Sequence, residues 1–278
     1  MNSVQQLGFE GMPTRLFSCT PSRLASYEQC PRRYRMTYVD RPQLPKGPPW
    51  AHNSMGASVH NALRGWFDLP VDQRTQTGIA GLLATGWLTD GFRDREQSEA
   101  VRARATDWVK DYVSEIEPSF EPVGLERTVA TTTERLAVSG RVDRIDQRGG
   151  ELVIVDYKTG RGELTSDDTR GSRALALYAL AARRTLRRPC SRVELHHLPT
   201  GTVHAHEHTE ESLARHVRRA EDTAADIVAA TAQVSAGADA EAVFAPTPGP
   251  MCSWCDWRRH CPQGQAAAPA KASWVAVE

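Results

Sequence analysis

The 278 residues, 30.7 kDa in mass, allow one large domain or two small ones and are enough to bury a core. With 40% hydrophobic and 24% charged residues, the composition excludes a disordered, fibrous or collagen-like chain, and no run reaches the roughly 18 apolar residues of a membrane span. Thirty-four Lys plus Arg balance thirty-four Asp plus Glu, so any site for a polyanion has to be local. The charges are segregated: seven arginines and no acid lie between Arg170 and Arg192, whereas Thr202 to Ala245 holds eight acids against three arginines, which predicts one basic face. The polar start Met1-Asn2-Ser3-Val4 lacks the apolar centre of a secretory signal, and a cytoplasmic location is expected.

Residues 1–15 read as a flexible tail. Pro21 to Cys30 opens a helix, with proline in its first turn and Leu24 and Tyr27 on one face. A proline-rich loop over Arg41 to Trp50 precedes a second helical pattern, Met55 to Phe67, in which Val59, Leu63 and Phe67 recur every four residues and His60 lies on the helix. A charged helical stretch from about Thr77 to Ile116 adds a helical lobe, an insertion of about 68–118. From Val123 the period changes to that of strands: Val123 to Val129, Arg135 to Asp146, and, after the Gly149-Gly150 turn, Leu152 to Val155, the simplest arrangement being antiparallel. Gly171 to Leu186 reads as a helix, Val193 to Leu198 and Thr202 to His208 as a hairpin, and Thr209 to about Gln233 as a long amphipathic helix. This order predicts an α/β fold, a mixed central sheet flanked by helices, in a single domain over 16–263. The Ala-, Pro- and Lys-rich stretch 264–278 reads as disordered.

Three groups of residues carry chemistry. Asp143 and Asp156 stand near the ends of neighbouring strands, and strand alternation puts Lys158 on the same face as Asp156. Carboxylate oxygens that hold Mg²⁺ or Mn²⁺, with a lysine to orient water, are what a phosphodiester hydrolase needs; a strand-end ion pair is the plainer alternative. His60 would complete a borderline N/O donor set, although a lone helical histidine is more often structural. Cys30 and the run Cys252-x₂-Cys255-x₅-Cys261 offer four thiolates for Zn²⁺ or for an iron–sulfur cluster, and His260 keeps a Cys/His zinc site open. Cys19 and Cys190 read as plain thiols. Clipping residue 30 to residue 252 would close a loop of about 222 residues, an entropy of about 5 kcal/mol. Glu126 is weighed as a further site carboxylate, with a strand-surface acid preferred. No G-x-x-x-x-G-K-[ST] motif is present.

Pro21-Ser22-Arg23-Leu24 leading to Gln29-Cys30-Pro31-Arg32-Arg33-Tyr34, then Gly56-x-x-Val59-His60, Gly140-x-x-Asp143-Arg144-Ile145-Asp146, Asp156-Tyr157-Lys158-Thr159-Gly160 and the last three cysteines resemble, in order from about residue 18 to 263, the RecB-family exonucleases of the PD-(D/E)xK superfamily. The pattern is most similar to their iron–sulfur subgroup, which includes the AddB nuclease domain and the CRISPR-associated adaptation nucleases. The resemblance implies a restriction-endonuclease-like core with a helical N-terminal lobe and a C-terminal iron–sulfur region over 250–263. It implies Mg²⁺ or Mn²⁺ on His60, Asp143, Asp156 and the Tyr157 carbonyl, with Lys158 assisting the attacking water and Tyr178 in the catalytic group. It implies a structural [4Fe–4S] cluster on Cys30, Cys252, Cys255 and Cys261. One departure stands out: where the family has Gln-x-x-x-Tyr, Ala174 stands four residues before Tyr178. The activity implied is a DNA nuclease working on single strands or ends in repair or recombination, with a separate helicase as a partner and no membrane. Arg32, Arg33, Arg170 and Arg173 are the backbone contacts expected, and Tyr27, Tyr34, Trp254 and Trp257 the stacking surfaces. The alternatives are a non-catalytic iron–sulfur DNA-binding module and a redox protein, the second of which leaves the carboxylates and lysine without a purpose.

Overall fold

The computed structural model describes residues 16–278, so the tail expected over 1–15 lies outside the described residues. Strand β1 (Phe17–Cys19) leads into α1 (Pro21–Gln29) and α2 (Pro31–Tyr38). Thr20 caps α1 by accepting the Arg23 N–H, and Pro21 fills the first turn, where its missing N–H costs nothing. Helices α3 (Ala51–Asp68), α4 (Gln76–Thr85) and α5 (Arg95–Ser114) form the predicted helical lobe. Strands β2 (Gly124–Thr132), β3 (Leu136–Arg148) and β4 (Glu151–Lys158) follow. The β3–β4 turn needs positive φ at both central positions, which Gly149 (+57°) and Gly150 (+90°) supply without steric cost.

Helices α6 (Ser166–Gly171) and α7 (Arg173–Leu186) cross from β4 to the parallel strand β5 (Cys190–His197), which turns back into β6 (Thr202–Glu207). The chain ends with α8 (Glu210–Ser235), α9 (Ala240–Val243) and α10 (Pro262–Ala267), with short 3₁₀ turns between and after them. The sheet order is β1-β3-β4-β5-β6, with β2 also paired to β3. Strand β3 is long enough to serve three neighbours: its start, Leu136–Val138, pairs with β1, its end, Arg144–Arg148, with β4, and the stretch from Ala137 to Ile145 with β2.

Both faces of the central strands are covered, which is why Leu152 to Val155 reads as an unbroken apolar run. Val153, Val155 and Tyr157 pack under Val59, Leu63 and Trp66 of α3 and Val109 of α5. Leu152 and Ile154 pack on the other side against Leu175, Ala179 and Ala182 of α7. A third cluster joins Leu24, Tyr34 and Phe244 to Ile227 of α8. Residues 264–278 differ from the expected disorder: Val277 is buried with Ala51, Met55 and Val101, and Arg104 donates to the Val277 carbonyl. Low complexity was outweighed there by two aromatic and aliphatic anchors, Trp274 and Val277. No helix among the described residues is long and apolar enough to cross a membrane.

Candidate active site

The strand registers put three carboxylates in one row. β2 and β3 pair Leu125 with Arg144 and Arg127 with Val142, which sets Glu126 opposite Asp143; β3 and β4 pair Arg144 with Val155, which sets Asp156 one step beyond, on the other side of Asp143. Glu126 adopts φ +45°, a left-handed conformation that a side chain other than glycine adopts only at a cost, and its carboxylate pairs with Arg141 Nε at 2.7 Å. From α3, His60 Nδ1 reaches to 3.4 Å from Asp143 Oδ2, and the same oxygen accepts the Tyr157 N–H at 2.9 Å. Ligand atoms of His60, Glu126 and Asp143 all lie within 4.8 Å of one another. Lys158 Nζ pairs with Asp156 Oδ2, as alternation along β4 requires.

Glycines permit this convergence. A Cβ on Gly140 would lie 2.3 Å from Tyr178 Cε1, so the Tyr178 ring of α7 rests on bare backbone beside Asp143. A Cβ on Gly56 would sit 3.3 Å from Thr159 Oγ1, so α3 runs close to the end of β4. The electrostatics follow from crowding. Burial lowers the His60 pKa, but the hydrogen bond and charge of Asp143, with the charges of Asp156 and Glu126, outweigh it and leave the value raised. Burial raises Asp156, with Asp143 adding to it, against the pull of Lys158; burial and then Asp143 raise Glu126. Tyr178 is raised by burial and by Asp156 and Asp143, and so keeps its hydroxyl proton. Several acids held together with a histidine and a lysine are a ready cation site: nitrogen and carboxylate oxygen are the donors that Mn²⁺ and Mg²⁺ accept, and a cation would relieve the mutual repulsion.

A model of the PD-(D/E)XK nuclease superfamily matches residues 18–262. The chain belongs to that superfamily. Among solved structures the chain is similar to a candidate exonuclease from Eubacterium rectale, at 12% identity and a TM-score of 0.44, covering 87% of this chain and 86% of that one. It is also similar to SSO0001, at 12% identity and a TM-score of 0.40, covering 91% and 90%. No curated protein matches the chain. The assignment rests on the family match.

The other expected residues divide. Glu126, preferred as a strand-surface acid, is instead in the cation group, because the left-handed turn at that residue aims a carboxylate opposite Asp143. Arg32, expected on DNA, is buried, pairs with Glu241 and donates to Gln263 Oε1; Arg173 is spent on Glu28. Arg33 is half-buried at the cysteine cavity and donates to Gln29, and the exposed Arg170 pairs with Asp167 at 3.0 Å. Tyr34 and Trp257 are buried and offer no stacking surface, whereas Trp254 is half-exposed. The predicted basic face is partly neutralised from the acidic run, through Arg183 with Glu210 and Arg192 with Glu207. Cys30, Cys252, Cys255 and Cys261 line one small cavity. The Thr247 N–H points at Cys30 Sγ at 3.4 Å and the Gly264 N–H at Cys261 Sγ at 3.3 Å, and Gly264 packs against the Cys261 and Cys252 sulfurs. Among the described residues, no three of these sulfurs lie within 4.8 Å of one another.

Proposed function

We propose that this PD-(D/E)XK protein is a metal-dependent deoxyribonuclease that hydrolyses phosphodiester bonds of single strands or DNA ends, in repair or recombination. The observation that carries this reading is the convergence of His60, Glu126 and Asp143 beside the Asp156–Lys158 pair. A divalent cation bound there supplies Lewis-acid stabilisation of the phosphate and a lowered pKa for water. His60, Asp143 and Asp156, with the Tyr157 carbonyl and Glu126, would hold it. The Tyr157 N–H fixes the Asp143 carboxylate, Lys158 orients the attacking water from the far side of Asp156, and the Tyr178 hydroxyl is a donor for a substrate oxygen at the same row. Arg33 and Arg170 would offer guanidinium groups to the phosphate backbone.

The four cysteines are read as ligands of a [4Fe–4S] cluster. Four thiolates on one cavity could hold a tetrahedral Zn²⁺ or a [4Fe–4S] cluster, and the order of the cysteine motifs favours the cluster. The two N–H donors aimed at sulfur suit thiolate ligands. The reading further implies a cytoplasmic setting, which keeps thiols reduced, and a helicase, where one is needed, on a separate chain. Ala174 favours a second reading, an iron–sulfur DNA-binding module without turnover, because it removes the amide four residues before Tyr178.

End-labelled single- and double-stranded DNA with Mg²⁺, Mn²⁺ or EDTA, applied to anaerobically purified protein, tests the reading. Metal-dependent digestion that falls at least about a hundredfold in Asp156→Ala and Lys158→Ala is the expected result. No digestion by folded, cluster-loaded wild type would transfer the case to the binding module.

A further inference from the structure

Where the catalytic strand ends, the chain continues through Thr159, Gly160 and Arg161 along the first turns of α3, and the two segments enclose a cleft of about 440 Å³. His52, Asn53, Gly56, Thr159, Gly160 and Arg161 line it, and no acidic side chain does. The Arg161 guanidinium is not free to swing, because it donates to the terminal main-chain oxygen of Glu278 and, at 3.4 Å, to the Val275 carbonyl. A guanidinium has five N–H donors, so this anchoring fixes its plane and leaves others for an anion. His52 Nδ1 is buried at the cleft edge without a hydrogen-bond partner.

An aromatic platform adjoins the cleft at His52. The rings of Trp50, His52 and Trp254 meet pairwise at centroid distances of 5.2 to 5.9 Å, and all three are only half-buried. Trp50 is held by donation from Nε1 to Asp256 Oδ1 at 2.9 Å, and the Lys271 ammonium lies 4.5 Å over Trp254. Aromatic faces with adjacent cations, opening onto a neutral-to-basic cleft with amide and hydroxyl donors, are the chemistry that binds stacked bases on an anionic backbone. A double helix hides its base faces, so such a platform has nothing to stack against in duplex DNA.

We propose that this cleft and the Trp50–His52–Trp254 platform form a subsite for the unpaired nucleotides adjoining the scissile phosphate, an inference that rests on the hydrolase reading. Arg161 holds a phosphate, Asn53 and Thr159 hydrogen-bond to the nucleotide in the cleft, and the next base stacks on Trp254. The subsite makes a single DNA strand the substrate and places the strand along α3 toward the tryptophans.

Binding of a labelled thymidine oligonucleotide, followed by fluorescence anisotropy in EDTA across a salt series, tests this with full-length wild type, Arg161→Ala, Trp254→Leu and Trp254→Phe. Because Arg161 also holds the Val275 and Glu278 oxygens, thermal unfolding of each variant is measured beside binding, and the Arg161→Ala comparison uses protein whose unfolding temperature matches wild type. Arg161→Ala is expected to weaken binding about tenfold and to reduce the salt slope by about one phosphate contact. Trp254→Leu is expected to weaken it about tenfold with the slope unchanged, and Trp254→Phe to recover most of the loss. Unchanged Kd in both Arg161→Ala and Trp254→Leu, or equal affinity for blunt duplex and single strand, would overturn the subsite. Cleavage by the wild type is read separately, so a protein that digests DNA but passes these variants unchanged loses only the subsite.

Discussion

Gly140 has no room for a side chain because the Tyr178 ring occupies the place of its Cβ. Gly140→Ala is therefore expected to destabilise the protein by about 1–3 kcal/mol and to reduce cleavage, and most of the stability loss should vanish in a Tyr178→Ala background. Thermal unfolding of the two single variants and the double variant measures this; equal losses in both backgrounds would show that the ring is not the obstacle. His208 offers a pH test away from the site. It is buried, shares Nδ1 with Ser212 Oγ, and meets His206 and His216 edge-on at 4.6 and 5.3 Å. Burial first, then the charges of His206 and His216, push its pKa down to about 4 from 6.5. The unfolded chain then takes up this proton first as pH falls. The contribution is whole above about pH 6.5 and is lost progressively toward pH 4. Urea midpoints of wild type should fall over that window more than those of His208→Gln; parallel declines would count against the assignment. At this scale His60 and the Asp156–Lys158 pair each read as structural when taken alone, and only the order of the motifs grouped them with Asp143, beside which the fold places His60. Glu126 was not legible, because its aim depends on a left-handed backbone that no local pattern announces. The register did carry a signal: a turn centred between Glu134 and Arg135 puts Glu126 opposite Asp143.

Helix α7 lies against β4 with alanines, and Ala176, Ala179, Ala181 and Ala182 are fully buried. Small side chains are what let Tyr178 reach Gly140, so Ala179→Leu should cost about 1–3 kcal/mol through overpacking, read as a lowered urea midpoint. An unchanged midpoint would mean that α7 can shift without penalty. The long elements followed from the sequence, since α3, α8 and the β3–β4 and β5–β6 hairpins have strong periods and clear turn residues. The three-residue β1 was invisible because its only support is pairing with β3, more than a hundred residues away. The packed segment near Val277 was hidden for a like reason: its anchors are Ala51, Met55 and Arg104, and composition knows nothing of them.

On the scale of the molecule, the cysteine cavity joins the start of α2 to the segment around α10, and Arg32 reinforces that junction through Glu241 and Gln263. Loss of the proposed cluster, by Cys255→Ser or by iron chelation, should remove visible absorbance and lower the unfolding temperature together, whereas Asp156→Ala should change neither. A colourless variant of unaltered stability would remove the clip from the account. The order of motifs along the chain pointed to the fold as a whole, but the charge map did not survive folding, because the neighbouring basic and acidic runs fold back on each other as Arg183 with Glu210 and Arg192 with Glu207. The two-glycine turn between β3 and β4 has a further consequence, for descent. Twelve residues separate Asp143 from Asp156, and their alignment holds only while both strands keep equal lengths to that turn. One residue gained on one side alone would swing an acid to the opposite face. Lineages that retain the tight turn should therefore change this spacing in steps of two, and an odd spacing should be accompanied by a bulge or a longer turn.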